Sequence, residues 1–327
     1  MTQWAQTQGK RLFLDFGAVL LLLVVIAFFS MTSNSFLSYS NISDILRSIS
    51  IVTLLAIGVT FSLIIDGLDL SVGSTASLST VTAAYCLIVF RQELLITLLI
   101  PIVFGLIVGL LNGLFITKGK LPDLLVTLAM MFVVNGLHLT LTKGSSIYEG
   151  MTINNEATTG HFIPSFLYLG QGSFFNIPVA VIIMIICILI THLFLEKTTW
   201  GRVFFFIGGN KTAAHLSAIP VNKYRVYAYI ISGLFASLGG ILLASRVGTG
   251  QVSAGTPLLM DSITAAYIGI AMFGKGKPNI IGTFLGACLM GILLNGFTML
   301  NVPYYAQDII KGILLLIAIL LAKKIKN

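Results

Sequence analysis

The sequence predicts an all-α polytopic membrane protein of about ten transmembrane helices. Three observations predict it. Of 327 residues, 57% are hydrophobic and only 9% are charged, against about 25% charged residues in a soluble domain. The mean hydropathy is +1.00. The apolar residues fall in continuous runs rather than the alternation of an outer-membrane barrel. So few charges cannot cover a soluble 35.2 kDa surface, which excludes a soluble enzyme, a disordered chain and a cytosolic DNA-binding domain.

A crossing helix needs about 20 apolar residues. Ten runs qualify in order: Leu12–Ser30, Arg47–Ile65, Ser71–Phe90, Leu95–Ile116, Asp123–Thr142, Ile177–Leu195, Tyr224–Leu243, Leu258–Phe273, Ile280–Leu300 and Tyr305–Ala322. The first is too long for the apolar core of a signal peptide and lacks a following A-x-A-type site, so it reads as a retained span. Cys86, Cys187 and Cys288 are far apart within apolar runs and read as small buried hydrophobes, not a disulfide or zinc framework.

Ten spans put both termini on one side. If that side is the cytoplasm, it holds 14 of the 19 basic residues, leaving Arg47, Arg91, Lys143, Arg246 and Lys311 outside. The positive-inside rule therefore favours cytoplasmic termini, and the net charge of +8 reads as an orientation signal rather than a nucleic-acid signal. The longest external loop, 143–176, carries an apolar patch, Phe162–Leu169, too short to span and expected to lie at the interface. The longest internal loop is 196–223. These two loops are the expected docking surfaces for partners on opposite sides.

The halves carry a weak inverted repeat, spans two to five against seven to ten. Asp69-Leu-Ser-Val-Gly-Ser is matched with Asp261-Ser-Ile-Thr-Ala-Ala, and Asn112-Gly113 with Asn295-Gly296. Such repeats are common in transporters. Gly105/Gly109 and Gly282/Gly286, at four-residue spacing, read as helix-packing seams.

No phosphate-binding loop of the form G-x-x-x-x-G-K-[ST] occurs, so the chain is expected to bind no ATP or other cofactor itself, and no metal. His138 reads as a satisfied interhelical donor. Nearly all acids sit at span ends; Asp15 is expected to pair with Arg11, and Asp308 with Lys311. Without a mid-span carboxylate, little remains for ion coupling.

The segment Asp66-Gly-Leu-Asp-Leu-Ser-Val-Gly-Ser resembles the Gly-Ile-Asp-Leu-Ser-Val-Gly signature of permease subunits of ribose-type bacterial ABC importers. The resemblance continues at Trp200-Gly-Arg, at Gly208-Gly-Asn210-x-x-Ala213-Ala214-x-x-Ser217-x-Ile219-x-Val221, at Ser232-Gly-Leu, at Ala254-Gly255, and at Gly282-Thr-x-x-Gly286 with Asn295-Gly296. Departures are Leu68 for isoleucine, Lys211 where relatives are often acidic, and Ala218 where Gly is often seen. The resemblance implies one permease domain over 1–327, similar to vitamin-B12-type importer permeases, in the bacterial inner membrane. It also implies a separate ATPase subunit carrying ATP and Mg, a second permease copy or homologue, and an external sugar-binding protein. The alternative class is an ion-coupled secondary transporter of a sugar or nucleoside; a third is a non-transport scaffold.

Within that reading, Lys211–Ala218 is expected to be a short coupling helix between Asn210 and Pro220. Asn210 caps it, and Thr212, Ala213, Leu216 and Ile219 form an apolar docking face. Gly209, Ala214, Ser217 and Pro220 complete the segment. Asp69 carries two compatible readings, a cap on the following helix and a residue holding a bend. Ser71, Ser74, Thr75 and Ser77 make the following span hydroxyl-rich, and together with Asp66, Asp69 and Gly73 of the signature it is the candidate path lining for an uncharged sugar.

Overall fold

The structure is a computed structural model and describes residues 19–153, 156–272 and 276–326. Residues 12–18 of the first expected span, Asp15 among them, and Arg11 lie outside the described residues. Thirteen helices follow one another among the described residues: α1 (Val19–Thr32), α2 (Tyr39–Ile64), α3 (Val72–Ile88), α4 (Leu94–Thr117), α5 (Asp123–Thr142), α6 (Pro164–Gln171), α7 (Val179–Lys197), α8 (Thr199–Gly209), α9 (Lys211–Leu216), α10 (Val221–Val247), α11 (Thr256–Met272), α12 (Ile280–Met299) and α13 (Tyr304–Lys326). Seven are long and apolar enough to cross a membrane: α2, α4, α5, α7, α10, α12 and α13. α1, α3 and α11 are apolar but shorter. Each of these ten overlaps one expected span. The chain is a multi-pass membrane protein.

The largest boundary error is at α2, which starts eight residues before Arg47. Ser38 makes the difference: its hydroxyl accepts from Asn41 N at 3.3 Å and caps the helix. The connection from α5 to α7 holds two short hairpins, β1–β2 (Thr152–Ile153, Glu156–Ala157) and β3–β4 (Ser173–Phe174, Ile177–Pro178). α6 packs one face against the protein. Its Phe166 is fully buried, and the Ser245 hydroxyl of α10 donates to Phe166 O at 2.6 Å and accepts from Gly170 N at 2.7 Å.

α2 runs from the hairpin side, where Tyr39 meets Asn176, to the side of α9, where Asp66 meets Lys211. α10 runs the other way, from Val221 to Ser245 beside α6. The two long helices pack together, and each half repeats the same partners around them. α4 lies against α10 as α12 lies against α2; α3 against α10 as α11 against α2; α3 against α5 as α11 against α13. This is an inverted repeat of α2–α5 and α10–α13.

Its register differs from the one expected. Asp69 precedes its helix, whereas Asp261 is the sixth residue of α11. The geometry instead matches Leu70-Ser-Val-Gly73-Ser74 with Val252-Ser-Ala-Gly255-Thr256. Each stretch runs from a non-helical lead, residues 70–71 or 252–255, into the start of a 17-residue helix. They meet reciprocally: a Cβ on Gly73 would lie 2.8 Å from Gly255 O, and one on Gly255 2.1 Å from Gly73 O. Only glycine permits this approach of two backbones.

Neither lead lies at the surface. Asp69 contacts Ser232, eleven residues and so about 16 Å along α10 from its start. The other lead enters from the hairpin side. Gly250 pairs with Ile147 there, and the chain then descends along α3, where Thr80 Oγ1 donates to Gln251 O at 3.0 Å and Ser77 Oγ accepts from Gly255 N at 2.9 Å. Non-helical backbone at this depth is tolerated only when buried in protein.

The glycine seams work at different interfaces. On α4, Gly105 faces Gly233 and Ser237, and Gly109 faces Tyr229 and Ile230 of α10; on α12, Gly282 faces Gly269 and Gly286 faces Ala265 of α11. A Cβ on Gly109 would lie 2.2 Å from Tyr229 O, while nothing lies within 4 Å of one on Gly136. Gly109→Ala should therefore destabilise by about 1–3 kcal/mol through overpacking. Gly136→Ala should cost nothing, since an exposed helical glycine gains up to about 1 kcal/mol of propensity. Thermal unfolding of both variants in detergent measures the contrast.

Candidate functional site: the α2–α3 elbow and the α8–α9 segment

Residues 65–71 form an elbow in which the backbone leaves helical geometry. Each freed group must find a partner inside the protein. Asp66 turns the chain out of α2 with φ +57°, and Asp66 N and Gly67 N donate back to Leu63 O and Ser62 O. Thr127 of α5 donates to Leu68 O at 3.0 Å. Asp69 is buried and accepts three bonds: from Ser71 N at 2.9 Å, Ser71 Oγ at 2.6 Å and Ser232 Oγ of α10 at 2.7 Å. Asn112 of α4 donates to Ser71 Oγ at 2.8 Å. Asp69 thus both turns the chain into α3 and binds α10. A carboxylate accepting three donors has its charge satisfied without a cation.

Next to Gly67 lies a second polar cluster. Asp123, at the start of α5, takes Arg225 Nη2 at 2.5 Å and Tyr229 OH at 2.7 Å, both from α10. The Asp123 and Arg225 side chains are 17% and 15% exposed. A Cβ on Gly67 would lie 2.5 Å from both Asp123 Oδ2 and Tyr229 OH, so this position too needs glycine. The elbow is therefore joined to α4, α5 and α10.

Most hydroxyls of α3 are hydrogen-bonded within the protein. Sixteen of its 17 residues are buried inside the protein. Ser74, Ser77 and Ser79 donate to their own helix carbonyls at Ser71, Gly73 and Thr75. Ser77 and Thr80 also hold the lead into α11. Buried hydroxyls in an apolar helix are satisfied locally before they reach a ligand. Thr75 shares the burial.

On the α9 side, Thr198 caps α8 by accepting from Gly201 N at 3.2 Å. Gly201, Phe204 and Ile207 face inward, and Phe204 meets Phe61 at 6.0 Å and Tyr224 at 5.6 Å. Gly208 rests on the end of α2, where a Cβ would lie 1.7 Å from Ile64 O. Asn210 caps α9, accepting from Ala213 N at 2.9 Å. α9 is shorter than expected and stops at Leu216. Ala218 has φ +58°, a left-handed conformation that cannot continue a helix. Ala214 is buried; Thr212, Leu216, Ser217 and Pro220 are exposed, Ala213 and Ile219 half-buried, and Gly209 exposed. Leu216, at 85% exposure, is the most prominent apolar side chain of the segment. Lys211 Nζ donates to Asp66 O at 3.1 Å and lies 3.4 Å from Asp66 Oδ2. Asp66 and the α9 segment, distant in sequence, are thus in direct contact.

Charge is present within the spans after all. Asp261 of α11 and Lys311 of α13 pair at 2.9 Å, 4% and 13% exposed. The expected Asp308–Lys311 contact is the longer one, at 3.7 Å. Residue spacing could show only the neighbour on the same helix. His138 is held as expected of a satisfied donor: Nδ1 faces Val134 O at 3.0 Å, and Nε2 accepts from Ser253 N at 3.4 Å in the lead into α11.

The chain matches the family model described as the permease component of branched-chain amino acid transport systems over residues 41–319. The chain belongs to this permease family. It is 36% identical to the ribose import permease RbsC of Bacillus subtilis, across 99% of this chain and 98% of that one. It is 33% identical to RbsC of Escherichia coli K12 across 97% of both. It is 28% identical to the xylose transport permease XylH of E. coli K12, across 93% of this chain and 90% of that one. No solved structure matches it. As a permease, the chain is a translocation component and not a catalyst.

Asp69→Ala should strand the Ser232 hydroxyl and the Ser71 amide and cost about 2–3 kcal/mol. Ser232→Ala, which removes one donor of three, should cost about 1 kcal/mol. Unfolding midpoints in detergent should fall in that order; equal midpoints would refute the central place of Asp69.

Proposed function

We propose that the chain is the transmembrane subunit of an ABC importer for a simple, ribose-like sugar, driven by ATP hydrolysis in a separate subunit. The observation that carries the reading is end-to-end similarity to ribose import permeases at 33–36% identity. Two features of the structure fit it. A short capped helix, α9, stands on one side with an exposed apolar Leu216, the shape needed to seat in a groove of an ATPase. The opposite side carries the 143–178 loop with its two hairpins and α6, suited to receive a sugar-binding protein.

In this reading α9 faces the cytoplasm, and both termini lie there, as the basic residues favour. The protein sits in the bacterial cytoplasmic membrane and pairs with a second permease copy or homologue. ATP and Mg are held by the partner ATPase. An ion-coupled carrier would need a free intramembrane carboxylate. Asp261 already has Lys311 as its counter-ion, and Asp69 is engaged by three hydrogen bonds within the protein.

The test is uptake of labelled ribose by vesicles bearing the permease, ATPase and binding protein. Uptake should require internal ATP and survive an ionophore that collapses ion gradients. Loss of uptake on ionophore addition, with ATP intact, would overturn the reading in favour of an ion-coupled carrier. Leu216→Glu should abolish copurification of the ATPase, because a carboxylate in an apolar groove is desolvated without a partner.

A further inference from the structure

We infer that Lys211 and Asp66 form the latch through which movement of α9 reaches the membrane helices, which makes Lys211 a positioning residue for transport. The inference rests on the reading of α9 as the ATPase-coupling segment and assigns the route beyond it.

Four observations carry it. First, α9 is short and exposed. Besides its chain neighbours α8 and α10 it has little to rest on. Second, among the described residues the Lys211 ammonium makes the only side-chain hydrogen bond from α9 to the membrane-embedded helices or their connections. Third, it binds Asp66 twice, at the main-chain carbonyl and at the carboxylate. A grip on the carbonyl is a grip on the backbone, not only on a mobile side chain. Fourth, Asp66 opens the elbow whose next residues hold α5 through Leu68, α10 through Asp69 and α4 through Ser71. A displacement of α9 therefore pulls on the one stretch that several membrane helices share.

The chemistry suits a moving contact. The pair is partly exposed, with side chains 38% and 64% accessible. An ion pair of this kind adds little to stability, so its removal should leave the fold intact and alter only what is transmitted. Gly208, seated on Ile64 O, keeps the adjoining α8 end close enough for Lys211 to reach. Asp66, in its left-handed conformation, presents the carbonyl and carboxylate to the same ammonium.

The test uses the reconstituted complete transporter with ATPase, binding protein and ribose. The readout is sugar moved per ATP hydrolysed. Lys211→Gln and Asp66→Asn should each lower that ratio by at least about threefold, with no further loss in the double variant, since both remove one contact. Lys211→Arg should keep most of the ratio. ATPase copurification should stay at the wild-type level in all of them. A ratio unchanged in both single variants, or losses that multiply in the double variant, would overturn the latch. Leu216→Glu is run beside them: if it retains the ATPase, the coupling reading of α9 fails; if it loses the ATPase while Lys211→Gln transports normally, only the latch fails.

Discussion

Seven residues between α2 and α3 abandon helical hydrogen bonding, all but Asp66 at least partly buried, and neighbouring helices supply partners to them. In hydrocarbon an unpaired peptide group costs several kcal/mol. The elbow avoids that cost by recruiting Thr127, Ser232 and Asn112 from three different helices. Asp69 concentrates the demand, because its two oxygens gather three donors in a buried space. Those polar contacts orient helices that the apolar contacts alone would leave free to slide.

The inverted repeat has the same logic. Each half contains one lead that enters the protein without helical bonds and then starts a 17-residue helix. The lead into α11 meets the start of α3, where Gly255 lies against Gly73 and Gly255 N donates to Ser77 Oγ. Helix association in a membrane lacks a strong hydrophobic drive, so close backbone approach and hydrogen bonds decide the pairing. This explains why the two leads use small residues, and why α4 and α12 carry glycine where they touch α10 and α11.

The same elbow lies next to α9, which is short and exposed. A polar-bonded hub thus stands directly beside an exposed helix. Further along, the buried pair Asp261–Lys311 ties α13 to α11.

Much was legible from the chain alone. Charge scarcity and continuous apolar runs determined the class and the location of ten apolar helices, because burial in lipid is a property of local composition. Asn210 as the cap of α9 was legible too, since capping is a contact across three residues. Contacts between distant segments were not. Spacing pointed Lys311 to Asp308, and only the packing of α13 on α11 decided for Asp261. Hydroxyl content suggested that α3 lines a path, and only its packing among α4, α5 and α10 showed Ser74, Ser77, Ser79 and Thr80 bonded within the protein. Matching aspartates suggested one register for the repeat, and only the meeting of Gly73 with Gly255 decided another. The physical reason is common to all three. Local sequence determines which segments are helical and apolar, but the height at which two helices meet depends on non-helical leads whose depth no periodicity records.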